Sequence, residues 1–192
     1  MNQQIVATCK QTIQLLERYC QDQDEQLSLL ARKLARIFTE GGQLLIAANG
    51  CLQPVAQLMA SQFVFRLSFE RPALPAVCLG SDPILNSRML GHGQAEQLLV
   101  RHYRAINSQK HVLLLLNDGT DSAALNALRD EVLEGEQGVA LMSFDCRKDP
   151  LMNADIDTCL NLGTRSVPRQ IELAQFSAHL LCELVEAELF GN

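Results

Sequence analysis

Two short polar stretches offer side chains that could do chemistry, and each follows an apolar run. Asn49-Gly50-Cys51 comes after Gln43–Ala48, and Asn117-Asp118-Gly119-Thr120-Asp121 comes after Val112–Leu116. A helical pattern follows both, with Pro54 in the first turn of one and Ser122 at the start of the other. A buried strand running straight into a helix is half of a βαβ unit. Ligands of such folds sit outside the carboxyl end of the strand, where free N–H groups and the helix dipole favour an anion. The second elbow opposes that chemistry with two carboxylates of its own. A carboxylate within ~4 Å of a phosphate opposes it by about 4 kcal/mol at an effective dielectric near 20, roughly a thousandfold in affinity. Asp121 is expected to N-cap the following helix and complement its dipole. The anion place of the elbow is then filled by the protein's own charge.

The other reactive side chains have plainer readings. His92, between Gly91 and Gly93, reads as a solvated loop histidine, and His102 and His111 as surface or capping residues. Cys51 sits where a helix N-terminus would stabilise a thiolate, but no sequence feature supplies a base, so a structural role is expected. Arg165 and Arg169 could hold an anion, although an exposed loop with two arginines is commonly only solvated. The 7 cysteines include no CxxC pair. Cys9, Cys20, Cys78, Cys159 and Cys182 fall in apolar stretches and read as small core residues. No metal site and no cofactor are expected.

These residues must be positioned by the elements around them. Asn2–Gln21 and Asp24–Thr39 each carry an apolar stripe at helical spacing, and Gly41-Gly42 ends the second. Together, residues 1–40 form an expected N-terminal helical arm of two helices, whose stripes need a partner surface. The single domain, 1–192, continues as an α/β core over 41–192. Its strands are expected at Gln43–Ala48, Ala76–Leu79, Val112–Leu116, Gly138–Phe144 and Ile156–Leu162. Helices follow Pro54 to about Leu67, then Gln94–Ile106, Ser122–Leu133 and Pro168–Phe190, while Ser81–Gly93 reads as a loop with one helical turn. Alternating strands and helices imply a parallel sheet with right-handed crossovers.

Composition is that of an ordinary globular chain: 192 residues, 47% hydrophobic and 20% charged. A net charge of −6 argues against direct binding of nucleic acid or an anionic membrane. No apolar run approaches a membrane span and Met1–Lys10 lacks the shape of a signal peptide, so a cytoplasmic protein with free thiols is expected.

Three segments in fixed order resemble the sugar isomerase (SIS) domain family, in particular phosphoheptose isomerase and its relative, the DnaA initiator-associating protein. They are Gly41–Gly50 (GGQLLIAANG), Phe69–Ala76 (FERPALPA) and Arg165-Ser166 leading to a last helix that ends Leu189-Phe190. The resemblance implies a three-layer α/β sandwich, flavodoxin-like, with a five-stranded parallel sheet, and a homotetramer with sites at subunit interfaces. It also implies a ligand cleft at Asn49, Gly50, Cys51, Arg66, Asn117, Asp118, Gly119, Thr120, Asp121 and Glu172.

The positions that resemble the family's catalytic ones are changed. Leu52 stands where the first elbow has a phosphate-binding serine. Leu58 and Gln62 stand where the isomerases have a histidine and the glutamate base, and Asp118 and Asp121 replace serines of the second elbow. The isomerases carry a glutamine and, eight residues on, a histidine acid on the last helix. Aligned on Leu189-Phe190, the initiator-associating branch has a histidine where Ala174 stands. An amide cannot act as a general base at neutral pH. The resemblance therefore implies a noncatalytic protein, a regulator or scaffold acting through protein contacts, with the replication initiator DnaA as suggested partner. Leu189 and Phe190 are the expected contact pair. The alternative is a phosphosugar isomerase for sedoheptulose 7-phosphate, or a sugar-phosphate sensor, with a rebuilt site.

Overall fold

The computed structural model describes residues 2–106 and 110–191. Five strands, β1 (Gln43–Ala48), β2 (Ala76–Cys78), β3 (His111–Asn117), β4 (Gly138–Ser143) and β5 (Thr158–Asn161), pair in the order β2-β1-β3-β4-β5, all parallel. Both faces of the sheet are covered, which is why its strands are continuous apolar runs rather than alternating ones. Leu44 and Ile46 of β1, with Val112, Leu114 and Leu116 of β3, face one half of the core. Leu45 and Ala47, with Leu113 and Leu115, face the other.

Helices α1 (Gln3–Thr39), α2 (Gln53–Val64) and α6 (Val167–Phe190) cover the first face. Helices α4 (Leu98–Ile106) and α5 (Ala123–Glu134) cover the second, and α3 (Pro83–Gly91) lies beside α4. This is the three-layer flavodoxin-like arrangement that the sequence implies, and strand order reverses between β1 and β3. Both polar elbows stand at that reversal.

The N-terminal segment departs from the expectation of two helices. It is one helix of 37 residues. Gln21-Asp22-Gln23-Asp24 is polar but holds no glycine or proline, and buried Gln23 accepts the Asn161 N–H at 3.0 Å, so the helix runs through. From Tyr19 onward its stripe is buried against the sheet and α6, while Ile5 and Ile13 on the first half stay exposed. Ser81–Gly93 also holds more structure than a single turn. Asp82 accepts from the N–H groups of Ile84 and Leu85 at 2.9 and 3.0 Å, and Pro83 starts α3.

The segment Phe69–Ala76 is fixed from inside. Arg71 is buried and donates to Glu186 of α6 and to the carbonyls of Gln62, Phe63 and Pro72. Pro75 then offers its carbonyl to Leu44 N at 2.9 Å, which leads the chain into β2.

Candidate functional site

Asn49, Asp118 and Thr120 clasp the two elbows together. Asn49 Nδ2 donates to Asp118 Oδ1 and Thr120 Oγ1, each at 3.0 Å, and Asp118 N donates back to Asn49 Oδ1 at 3.1 Å. Thr120 adds its hydroxyl at 2.6 Å and its N–H at 3.0 Å to the same Asp118 oxygen. Gly50 lies beneath, at φ +50°, and a Cβ there would stand 2.8 Å from Asp118 Oδ2. Glycine meets both requirements, the left-handed backbone and the close carboxylate. Burial pushes the Asp118 carboxyl upward, but the Thr120 and Asn49 donors outweigh it and hold the group below its ordinary range.

Next to the clasp, at the carboxyl ends of β3 and β4, opens a crevice of about 310 Å³. Asp118, Gly119, Ser143, Asp145, Arg165 and Gln170 are among its walls. Beneath it, buried Asn117 and Ser143 both donate to buried Asp149, the former at 2.7 Å. Lys148 pairs with Asp145 at 3.2 Å, and the Arg165 guanidinium lies 5.0 Å above the Phe144 ring.

Several expected residues are placed elsewhere. Asp121 is not the N-cap of α5: the helix begins at Ala123, Ser122 Oγ accepts Leu125 N, and Asp121 instead accepts from the Asn126 side chain at 2.8 Å. Cys51 packs against the apolar core. Arg66 stacks on Phe65 and pairs with Glu70, and Glu172 pairs with Arg169, so neither lines the crevice. Arg169 is largely covered and also reaches Thr12 of α1, in contrast to a solvated loop arginine. His111 is buried against Tyr103 rather than on the surface, and His102 Nδ1 accepts Gly80 N at 3.2 Å. Cys9 is exposed, in contrast to the expected core position. Phe190 sits edge-on to Phe69 at 6.0 Å, and Leu189 packs partly on the core.

On the helical layer, Leu58 is 46% exposed while Ala174 is fully enclosed in the core. Glu172 and His179 of α6 lie away from the sheet, Glu172 exposed and His179 half-buried. Glu172 and His179 are seven residues apart, two helical turns, and so share a face. Gln175 Nε2 lies 2.8 Å from His179 Nε2. His179 is a functional candidate that the sequence reading sets aside, because it lies more than a helical turn from Ala174, the position that alignment on the end of the helix picks out. Its spacing from Glu172 was the available signal.

Among the described residues, no helix is long and apolar enough to cross a membrane, and no group of three or more His, Cys, Asp or Glu is arranged to hold a metal. No family model matches the chain. Curated relatives match over nearly its whole length. The phosphoheptose isomerase of Burkholderia pseudomallei is 30% identical over 174 residues, 88% of this chain and 87% of the relative. That of Thermodesulfovibrio yellowstonii is 23% identical, covering 94% and 89%. Among solved structures, a phosphoheptose isomerase from Francisella tularensis superposes with a TM-score of 0.85 at 21% identity, covering 95% and 96%.

These enzyme relatives overturn the expectation of a noncatalytic regulator. That expectation counted losses at Leu52, Leu58, Gln62, Asp118, Asp121 and Ala174, single positions in a chain whose α6 keeps an imidazole and a carboxylate on one face.

Proposed function

This chain belongs to the phosphoheptose isomerase family, and from that premise we propose that it is an aldose–ketose isomerase acting on a phosphorylated sugar of the heptose class. The observation that carries the reading is the 30% identity to a phosphoheptose isomerase across 88% of the chain.

The reaction moves a proton between two neighbouring carbons, one of which bears the carbonyl, through an enediol. It needs one group to take the carbon-bound proton and one to serve the carbonyl oxygen. In this proposal Glu172 and His179 are those groups. Glu172 is exposed and held by Arg169, and His179 is half-buried and oriented by Gln175. Gln62 supplies an amide on α2, able to hydrogen-bond a sugar hydroxyl but not to accept a proton. Its Oε1 is buried and has no hydrogen-bond partner among the described residues.

Glu172 is open to solvent in the single chain, and His179 is half-buried. The proposal therefore includes a homo-oligomer, a tetramer by resemblance, in which a neighbouring copy closes the site. The exposed Ile5 and Ile13 of α1 support it.

The test is turnover of sedoheptulose 7-phosphate by the purified protein, followed by formation of the aldose product. Turnover above background is expected, and His179→Ala should lower it by about 100-fold or more. No turnover, with no thermal shift from any sugar phosphate, would overturn the reading.

A further inference from the structure

On the side of the sheet away from α6, three sulfur atoms meet at the β5 edge. Cys159 of β5 packs with Cys146 in the second half of the core, and the two thiols are hydrogen-bonded to each other. Cys146 Sγ also lies 3.4 Å from Leu141 O and 3.5 Å from Leu160 O. Leu141 is the register partner of Cys159, and Leu160 follows it in β5. Cys159 Sγ in turn lies 3.9 Å from Met152 Sδ. The backbone holds each of the three. Cys146 opens a short 3₁₀ helix, Cys146–Lys148, and donates its N–H to Asn161 Oδ1 at 2.7 Å. Met152 N donates to Asp149 O at 3.0 Å, and the Asp149 side chain is anchored by Asn117, Ser143 and Leu151 N.

An ion bonded to sulfur at about 2.3 Å in a trigonal set keeps its ligands roughly 4 Å apart. The Cys159–Met152 separation matches that spacing. Two thiolates and a thioether suit a soft ion and not a hard one. Zinc asks for a fourth nitrogen, sulfur or oxygen ligand, and the nearby Asp149 has both carboxylate oxygens already engaged. Cys146 is buried, whereas Cys159 is partly exposed and Met152 is 38% exposed, so an ion can enter past the methionine.

We propose that Cys146, Cys159 and Met152 form a three-sulfur site for a soft monovalent cation of the copper(I) class. Both cysteines bind as thiolates, so each ion that enters releases two protons. The loaded site carries one net negative charge, which Arg147, facing Cys159, offsets and Asp149, facing Cys146, opposes. The sheet separates these sulfurs from α6, so the site stands or falls independently of the isomerase reading.

Anaerobic titration with copper(I) against the chromophoric chelator bicinchoninate tests it. The protein is the full chain carrying Cys9→Ser, Cys20→Ser and Cys51→Ser, which removes the other thiols that are not buried. One ion per chain is expected, with native-state alkylation of Cys159 by iodoacetamide suppressed at saturation. Met152→Leu conserves volume and should weaken binding about tenfold or more, and Cys159→Ser at least about 100-fold. Circular dichroism checks that both variants stay folded, and protection of Cys159 in the parent decides without any change at the site. No bound ion, Cys159 alkylated as fast with copper(I) as without it, or parental affinity in either folded variant would overturn the proposal.

Discussion

Arg71 Nε donates to Glu186 Oε1 at 2.6 Å with both side chains sealed from water, joining the segment before β2 to the last helix. The guanidinium also donates to Phe63 O at 2.9 Å, Pro72 O at 3.0 Å and Gln62 O at 2.9 Å. This pair closes the end of α2 onto α6, the two helices that bear Gln62 and His179.

Removing one partner of such a pair leaves a buried charge uncompensated. Glu186→Gln should destabilise the protein by about 3–5 kcal/mol, read as a lower urea midpoint. Arg71→Lys should also be destabilising, since a single ammonium cannot reach the four acceptors of the fork. A midpoint unchanged in Glu186→Gln would refute the clamp.

Asp118 gives the fold an acid dependence. Its carboxyl is held below the ordinary value of 3.8, so as pH falls the unfolded chain takes up this proton first. The stability it contributes is complete above that value and is lost as pH drops through the folded one. The difference in melting temperature between wild type and Asp118→Asn should therefore be largest near neutrality and shrink below about pH 4. A difference that grows on acidification would show that the clasp does not favour the carboxylate.

Ala174 tests which position of α6 matters. It is completely enclosed. Ala174→His should overpack the core, costing about 1–3 kcal/mol, and should add no turnover. A stable Ala174→His variant with raised isomerase activity would move the catalytic role away from His179.

The cysteines should divide by burial. Cys9 is exposed, whereas Cys78, Cys146 and Cys182 are buried. Burial, reinforced by the Glu186 carboxylate, pushes the Cys182 thiol up to about 12. In the native state a disulfide-exchange reagent at pH 8 should label Cys9 rapidly and the three buried thiols only on unfolding. Rapid native labelling of Cys182 would contradict the enclosed Arg71–Glu186 pocket beside it.

The sequence by itself determined the layers and the strands. Runs such as Val112–Leu116 can be satisfied only between two covered faces, and the glycine, proline and polar elbows around them mark where each strand must stop. The family resemblance was likewise legible, since it rests on local words such as Glu70-Arg71-Pro72. What Arg71 does in that word was not legible, because Glu186 is 115 residues away and only the packing of α6 brings it there. The same holds at the elbows. Asp118 and Asp121 read alike in sequence, yet one closes the switch point with Asn49 and the other merely accepts from Asn126. Helix phase decided the rest: it turned Ala174 into the core and set His179 and Glu172 outward on one face, a relation fixed by 3.6 residues per turn and by which side of α6 the sheet covers.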